Sequence, residues 1–119
     1  MRKKVYYLST CDTGKKIFKQ LGIGDEFEYQ DIKTQPVSAT QLEEMHQLSG
    51  SYEALFSKQA RLYKEQRLSA QVLTEDDFKR LILTHYTFLK RPVFIIGKTL
   101  FAGNAPKTVS AVFELLNKE

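Results

Sequence analysis

Cysteine occurs once in these 119 residues, at position 11, so no disulfide can form within them and no disulfide framework holds the fold. Long apolar runs are missing too. Val93 to Ile96 falls far short of the roughly 20 residues that a membrane-spanning helix requires, and Arg2-Lys3-Lys4 leads straight into strand-like residues rather than an export signal. A cytoplasmic protein without a membrane partner is therefore expected. Histidine is scarce: His46 and His85 stand far apart, with no cysteine or carboxylate at metal-ligand spacing beside them, so no metal site is expected. Repeats, linkers and low-complexity segments are lacking. The net charge of +4 comes from 18 lysines and arginines scattered among 14 acids, and no basic stripe interleaved with aromatics appears. Direct nucleic-acid binding is not expected from that distribution.

What is present is the composition of one packed domain, 42% hydrophobic and 27% charged, over a length that buries a core without staples. Lys4 to Leu8 is β-branched and aromatic and runs into Ser9-Thr10-Cys11-Asp12-Thr13-Gly14, a strand entering a turn of small residues. Ile17, Phe18 and Leu21 then share a helical face, and Gly22 stops the helix. Glu26 to Ile32 alternates as a second strand. Ser38 with Gln41 forms a capping-box pattern before Leu42, Met45 and Leu48, and the helix ends near Gly50. Tyr52 to Leu55 reads as a helical turn, and Gln59 to Gln66 as a polar, basic surface segment.

Thr74 with Asp77 caps another helix whose apolar face carries Phe78, Leu81, Ile82 and Tyr86. Val93 to Ile96 and Thr99 to Ala102 flank Gly97-Lys98, the pattern of a two-residue β-hairpin. In the last helix Asn104 is the expected cap, Pro106 lies in the first turn, and Val109, Val112, Phe113 and Leu116 form the buried stripe. The order β-α-β-α-α-β-β-α predicts an α/β, thioredoxin-like fold over residues 1–119: a four-stranded mixed sheet with a helical insertion.

Cys11 follows the first strand and opens the first helix. Unpaired amides and the positive helix end favour a thiolate there, with Thr10 and Thr13 as hydroxyl donors and Lys15 and Lys16 adding positive potential. The same position also suits an inert, buried thiol. Two segments resemble the glutaredoxin-type arsenate reductase and Spx family: Tyr7-Leu8-Ser9-Thr10-Cys11-Asp12-Thr13-Gly14-Lys15-Lys16, similar to its nucleophile loop, and Leu89-Lys90-Arg91-Pro92-Val93, similar to its leucine-basic-arginine-proline motif. With matching element order the likeness covers essentially the whole chain.

The resemblance implies a cis Arg91-Pro92 bond facing Cys11, with Arg91 reaching an oxyanion or a glutathione carboxylate through its planar fork of donors. Cys11 and Arg91 are then the catalytic pair, and Thr10, Thr13, Lys15 and Pro92 line the substrate. Family arsenate reductases hold the oxyanion with three arginines. Here Ser57 stands at the first position and Phe101-Ala102-Gly103-Asn104 at the third, leaving Lys58 and Arg61 as substitutes, so weak arsenate turnover is expected. No bound cofactor is implied. Glutathione is the implied co-substrate, with glutaredoxin or thioredoxin as reducing partner.

In the Spx branch the implied role is instead a transcriptional regulator that binds RNA polymerase. Gly14 occupies the place of that branch's second cysteine, and Gly50 lies near its polymerase-docking glycine, where a helix-ending glycine is the simpler reading. Lys58, Arg61, Lys64 and Arg67 either serve a partner surface or solvate an exposed segment.

Overall fold

Lysine, valine and two tyrosines in succession suit an inner strand, and in the computed structural model, which describes residues 2–118, they form β1 (Lys3–Tyr7) with Val5 and Tyr6 fully buried. On one side β1 pairs in parallel with β2 (Glu28–Asp31), placing Val5 against Tyr29 and Tyr7 against Asp31. On the other it pairs antiparallel with β3 (Val93–Ile96), Tyr6 lying against Val93. β3 turns through Gly97-Lys98 into antiparallel β4 (Thr99–Ala102), giving the order β2-β1-β3-β4. Gly97 has φ +62°, as a glycine-first two-residue hairpin demands. The expected four-stranded mixed sheet is formed.

The crossover between the parallel strands is α1 (Asp12–Leu21), closed by Gly22 in the left-handed conformation with its amide bonded to the Lys19 and Phe18 carbonyls. The last helix, α5 (Pro106–Leu116), packs with α1 over one sheet face. Val5, Ile17, Leu21, Phe27, Phe94, Ile96, Val109 and Val112 make the core there.

Two compact units are distinguished along the chain, the sheet unit of residues 1–35 with 91–119 and a helical unit of residues 36–90. In the helical unit α2 (Ala39–Ser49) begins in the expected capping box, Ser38 Oγ accepting from the Gln41 amide at 3.0 Å. Next come a 3-10 turn at Glu53–Leu55, α3 (Arg61–Glu65) and α4 (Glu75–Thr84), the last with its own capping box between Thr74 and Asp77. Phe56 is the centre of this unit's core, its ring stacked on Phe88 at 5.4 Å and tilted against Phe78 at 4.8 Å. An isolated antiparallel bridge joins Phe56 to Leu89.

The polar segment after Gln59 lies largely at the surface, as expected, and contains α3, a helix of five residues that the expected element order lacked. Three expectations need correction. Asn104 does not cap α5: proline at the first helical position forces the preceding residue out of the helical region, so the cap is Ala105, with φ −61° and ψ 142°. Phe113 is 49% exposed, because it lies about 100° around the helix from Val112, at the margin of the stripe. Tyr86 is not on the α4 face. The helix ends at Thr84, His85 is extended, and Tyr86 opens a 3-10 turn in which His85 Nδ1 accepts from the Thr87 amide at 3.0 Å.

Candidate active site around Cys11

Cys11 is the N-cap residue of α1, a half-buried free thiol with extended backbone (φ −99°, ψ 108°). Its amide donates to the Leu8 carbonyl at 3.0 Å, which closes the Leu8–Cys11 turn. The side chain makes no capping hydrogen bond to the first-turn amides. Those amides and the positive end of the helix are therefore available to an anion formed at or brought to this position. Thr10, Thr13, Lys15 and Lys16 are exposed around the thiol, and Gly14 is buried in the first turn.

The sheet register determines what lies beside this turn. Because Tyr6 pairs with Val93 in antiparallel sense, the residues before Val93 come alongside the end of β1, from which the Cys11 turn departs. Those residues are Arg91 and Pro92. Their peptide bond is cis, as the resemblance implied; Arg91 is half-buried and Pro92 buried. The Pro92 carbonyl accepts from the Gly103 amide at 2.9 Å, so the segment proposed to carry a third arginine presents a glycine with φ +102° here.

The remaining candidates belong to the helical unit. Lys58 Nζ lies 2.7 Å from Glu53 Oε2, and this carboxylate raises the lysine's pKa above its ordinary value. Arg61 Nε lies 3.7 Å from Glu65 Oε2, with its side chain 81% exposed. Both expected substitutes are thus engaged by carboxylates of their own segment. The Ser57 amide donates to the Phe88 carbonyl at 2.7 Å. Gly50 has φ +80° at the end of α2 and donates to the His46 carbonyl, so helix termination accounts for it.

Asp31 was not singled out from the sequence. Its Oδ1 accepts from the Ser9 amide at 3.2 Å, two residues before Cys11. An aspartate at a strand end is ordinary in sequence, and only the parallel register reveals what it faces. Among the described residues no group of three or more histidines, cysteines and carboxylates could hold a metal. No helix there is long and apolar enough to cross a membrane.

A mixed β2-β1-β3-β4 sheet, a cysteine at the N-terminus of the crossover helix and a cis proline before β3 define a thioredoxin-like protein with a single thiol. The family model described as ArsC family matches residues 6–112, and the chain belongs to that family. Among solved structures it is similar to an arsenate reductase from Vibrio cholerae, with 22% identity over 94% of this chain and 98% of the other and a TM-score of 0.73. It is also similar to an arsenate reductase (ArsC) related protein from Brucella melitensis, with 23% identity over 96% of each chain and a TM-score of 0.70. No curated protein matches the chain.

Proposed function

We propose that this protein is a single-cysteine, thiol-dependent oxidoreductase that uses glutathione as co-substrate. The observation that carries the reading is the placement of Cys11 at the N-cap of α1, with the cis Arg91-Pro92 segment alongside, in a member of the ArsC family. The Cys11 thiolate attacks one sulfur of a disulfide such as oxidised glutathione. The substrate S–S bond breaks, a Cys11–glutathione disulfide forms, and a glutathione thiolate leaves with the bonding pair. A second thiol then attacks the glutathione sulfur and releases Cys11 as thiolate. These 119 residues hold no other cysteine, so that thiol comes from glutathione, glutaredoxin or thioredoxin. Arg91 supplies the donors for a substrate carboxylate or oxyanion.

Arsenate is the weaker substrate in this account. Two of the three expected arginine positions carry Ser57 and Gly103, while Lys58 and Arg61 are already paired. The test compares turnover of a small glutathione mixed disulfide with turnover of arsenate, both supplied with glutathione and glutaredoxin. Disulfide turnover that vanishes in Cys11→Ser, with arsenate turnover near background, is expected. Arsenate turnover equal to or above disulfide turnover would reverse the ranking, and no Cys11-dependent disulfide turnover would overturn the reading.

A further inference from the structure

Strand β2 ends beside the start of the Cys11 turn. Tyr7 pairs with Asp31, and the Ile32 amide donates to the Tyr7 carbonyl at 2.9 Å, so the parallel pairing holds up to the point where the chain leaves β1. From there the Asp31 carboxylate reaches across to the Ser9 amide at 3.2 Å, and the same Oδ1 accepts the Lys33 amide at 3.2 Å. The Lys33 contact is a local turn bond of the kind aspartate often makes. The Ser9 contact is not local, since it spans 22 positions and ties β2 to the turn that presents the thiol.

Asp31 has a carboxyl held below its ordinary range, first by the Ser9 hydroxyl and then by the Lys33 and Ser9 amides. It is therefore an anion at neutral pH, the stronger acceptor form. The tether is strongest above that lowered value and weakens as pH falls through it, when the neutral acid is left with a carbonyl oxygen as acceptor.

We propose that Asp31 is a positioning residue for Cys11: its carboxylate fixes the Ser9 amide, and through the Leu8–Cys11 turn it fixes the thiol at the N-cap of α1. The inference rests on the reading of Cys11 as nucleophile, and it adds a residue outside the Cys11 and Arg91-Pro92 segments. Asp31 itself touches no reacting atom. Its contribution is orientation, to which the rate of an aligned displacement is sensitive.

The test measures two rates on wild type, Asp31→Ala and Asp31→Asn: alkylation of Cys11 by iodoacetamide and mixed-disulfide formation with oxidised glutathione. Asp31→Ala should slow both about tenfold. Asp31→Asn, which keeps an oxygen acceptor for the Ser9 amide, should stay within about twofold of wild type. Rates in denaturant should be equal for all three, which separates orientation from intrinsic thiol reactivity.

A wild-type measurement decides the matter if Asp31→Ala does not fold. In an NMR pH titration the Ser9 amide proton should shift with the protonation of Asp31. Equal native rates in wild type and Asp31→Ala, or a Ser9 resonance indifferent to Asp31, would overturn the proposal. Alkylation that depends on Asp31 without any glutathione adduct would keep the positioning role and defeat the redox reading; adduct formation equal in all variants would do the reverse. A wild type unreactive to both reagents would defeat both.

Discussion

Glu75 shows how much a single side chain organises. Its carboxylate accepts from the Tyr52 amide at 2.7 Å, the Glu53 amide at 3.0 Å and the Ser51 hydroxyl at 3.3 Å, fastening the turn after α2 to the start of α4. The Tyr52 amide, with help from the Glu53 amide and Ser51, lowers the carboxyl below its ordinary 4.5. A lowered carboxylate pKa means stability that is present above 4.5 and lost as pH falls through the folded-state value. Glu75→Gln should therefore cost about 0.5 to 1 kcal/mol at pH 7 after allowance for solvent screening. In urea unfolding the difference from wild type should shrink below pH 4.5 and close once the carboxyl is protonated in both states. A difference that persists unchanged into acid would show that charge on Glu75 is not what binds the turn. Neither this role nor that of Asp31 was legible in the sequence. Both act on amides more than 20 positions away, whereas Ser38 and Thr74 cap at three residues' distance and were legible.

At the level of elements, local rules succeeded where one residue decides the backbone. Gly22 and Gly50 end α1 and α2, and Gly97 turns the hairpin. The rules failed where two neighbours compete: Asn104 is the better cap by preference, yet Pro106 moves the cap to Ala105. They also failed for α3, which is too short for an apolar period to show and has no residue that is fully buried. Tyr29 reads as inward-facing by alternation but is 38% exposed, while Gln30 is buried and donates to the Gln35 carbonyl at 2.9 Å. Alternation alone does not register which of two neighbouring residues in a short strand is buried.

Gly14 offers an element-scale test. It lies in the first turn of α1, and an added Cβ would meet no atom within 4 Å, so Gly14→Ala removes unfolded-state freedom without a clash. The variant should be more stable by about 0.5 to 1 kcal/mol in chemical denaturation. A loss of stability would mean that this turn is packed more tightly than its backbone indicates.

For the whole molecule, the sheet and the site depend on each other through β3. Val93 to Ile96 are all buried, and Phe94 sets its ring edge-to-face against Phe18 at 6.0 Å and near Phe27 at 6.1 Å, joining the sheet to α1, the helix that Cys11 caps. Phe94→Ala should destabilise the fold by about 3 to 5 kcal/mol, read from thermal or urea unfolding. A cost below about 1 kcal/mol would contradict its place at the centre of the core. Sheet topology and the cis bond before Pro92 were legible because short motifs at the right separation carried them. The engagement of Lys58 by Glu53 and of Arg61 by Glu65 was less so, because a run of mixed charges does not say which of them pair.

The most direct test of the central claim, that Cys11 is a reactive redox thiol, is intact mass spectrometry of the protein after incubation with oxidised glutathione at neutral pH. The account predicts one glutathione adduct per chain, mapped to Cys11, absent in Cys11→Ser and removed by excess reduced glutathione. A wild-type protein that stays unmodified while fully folded would contradict it.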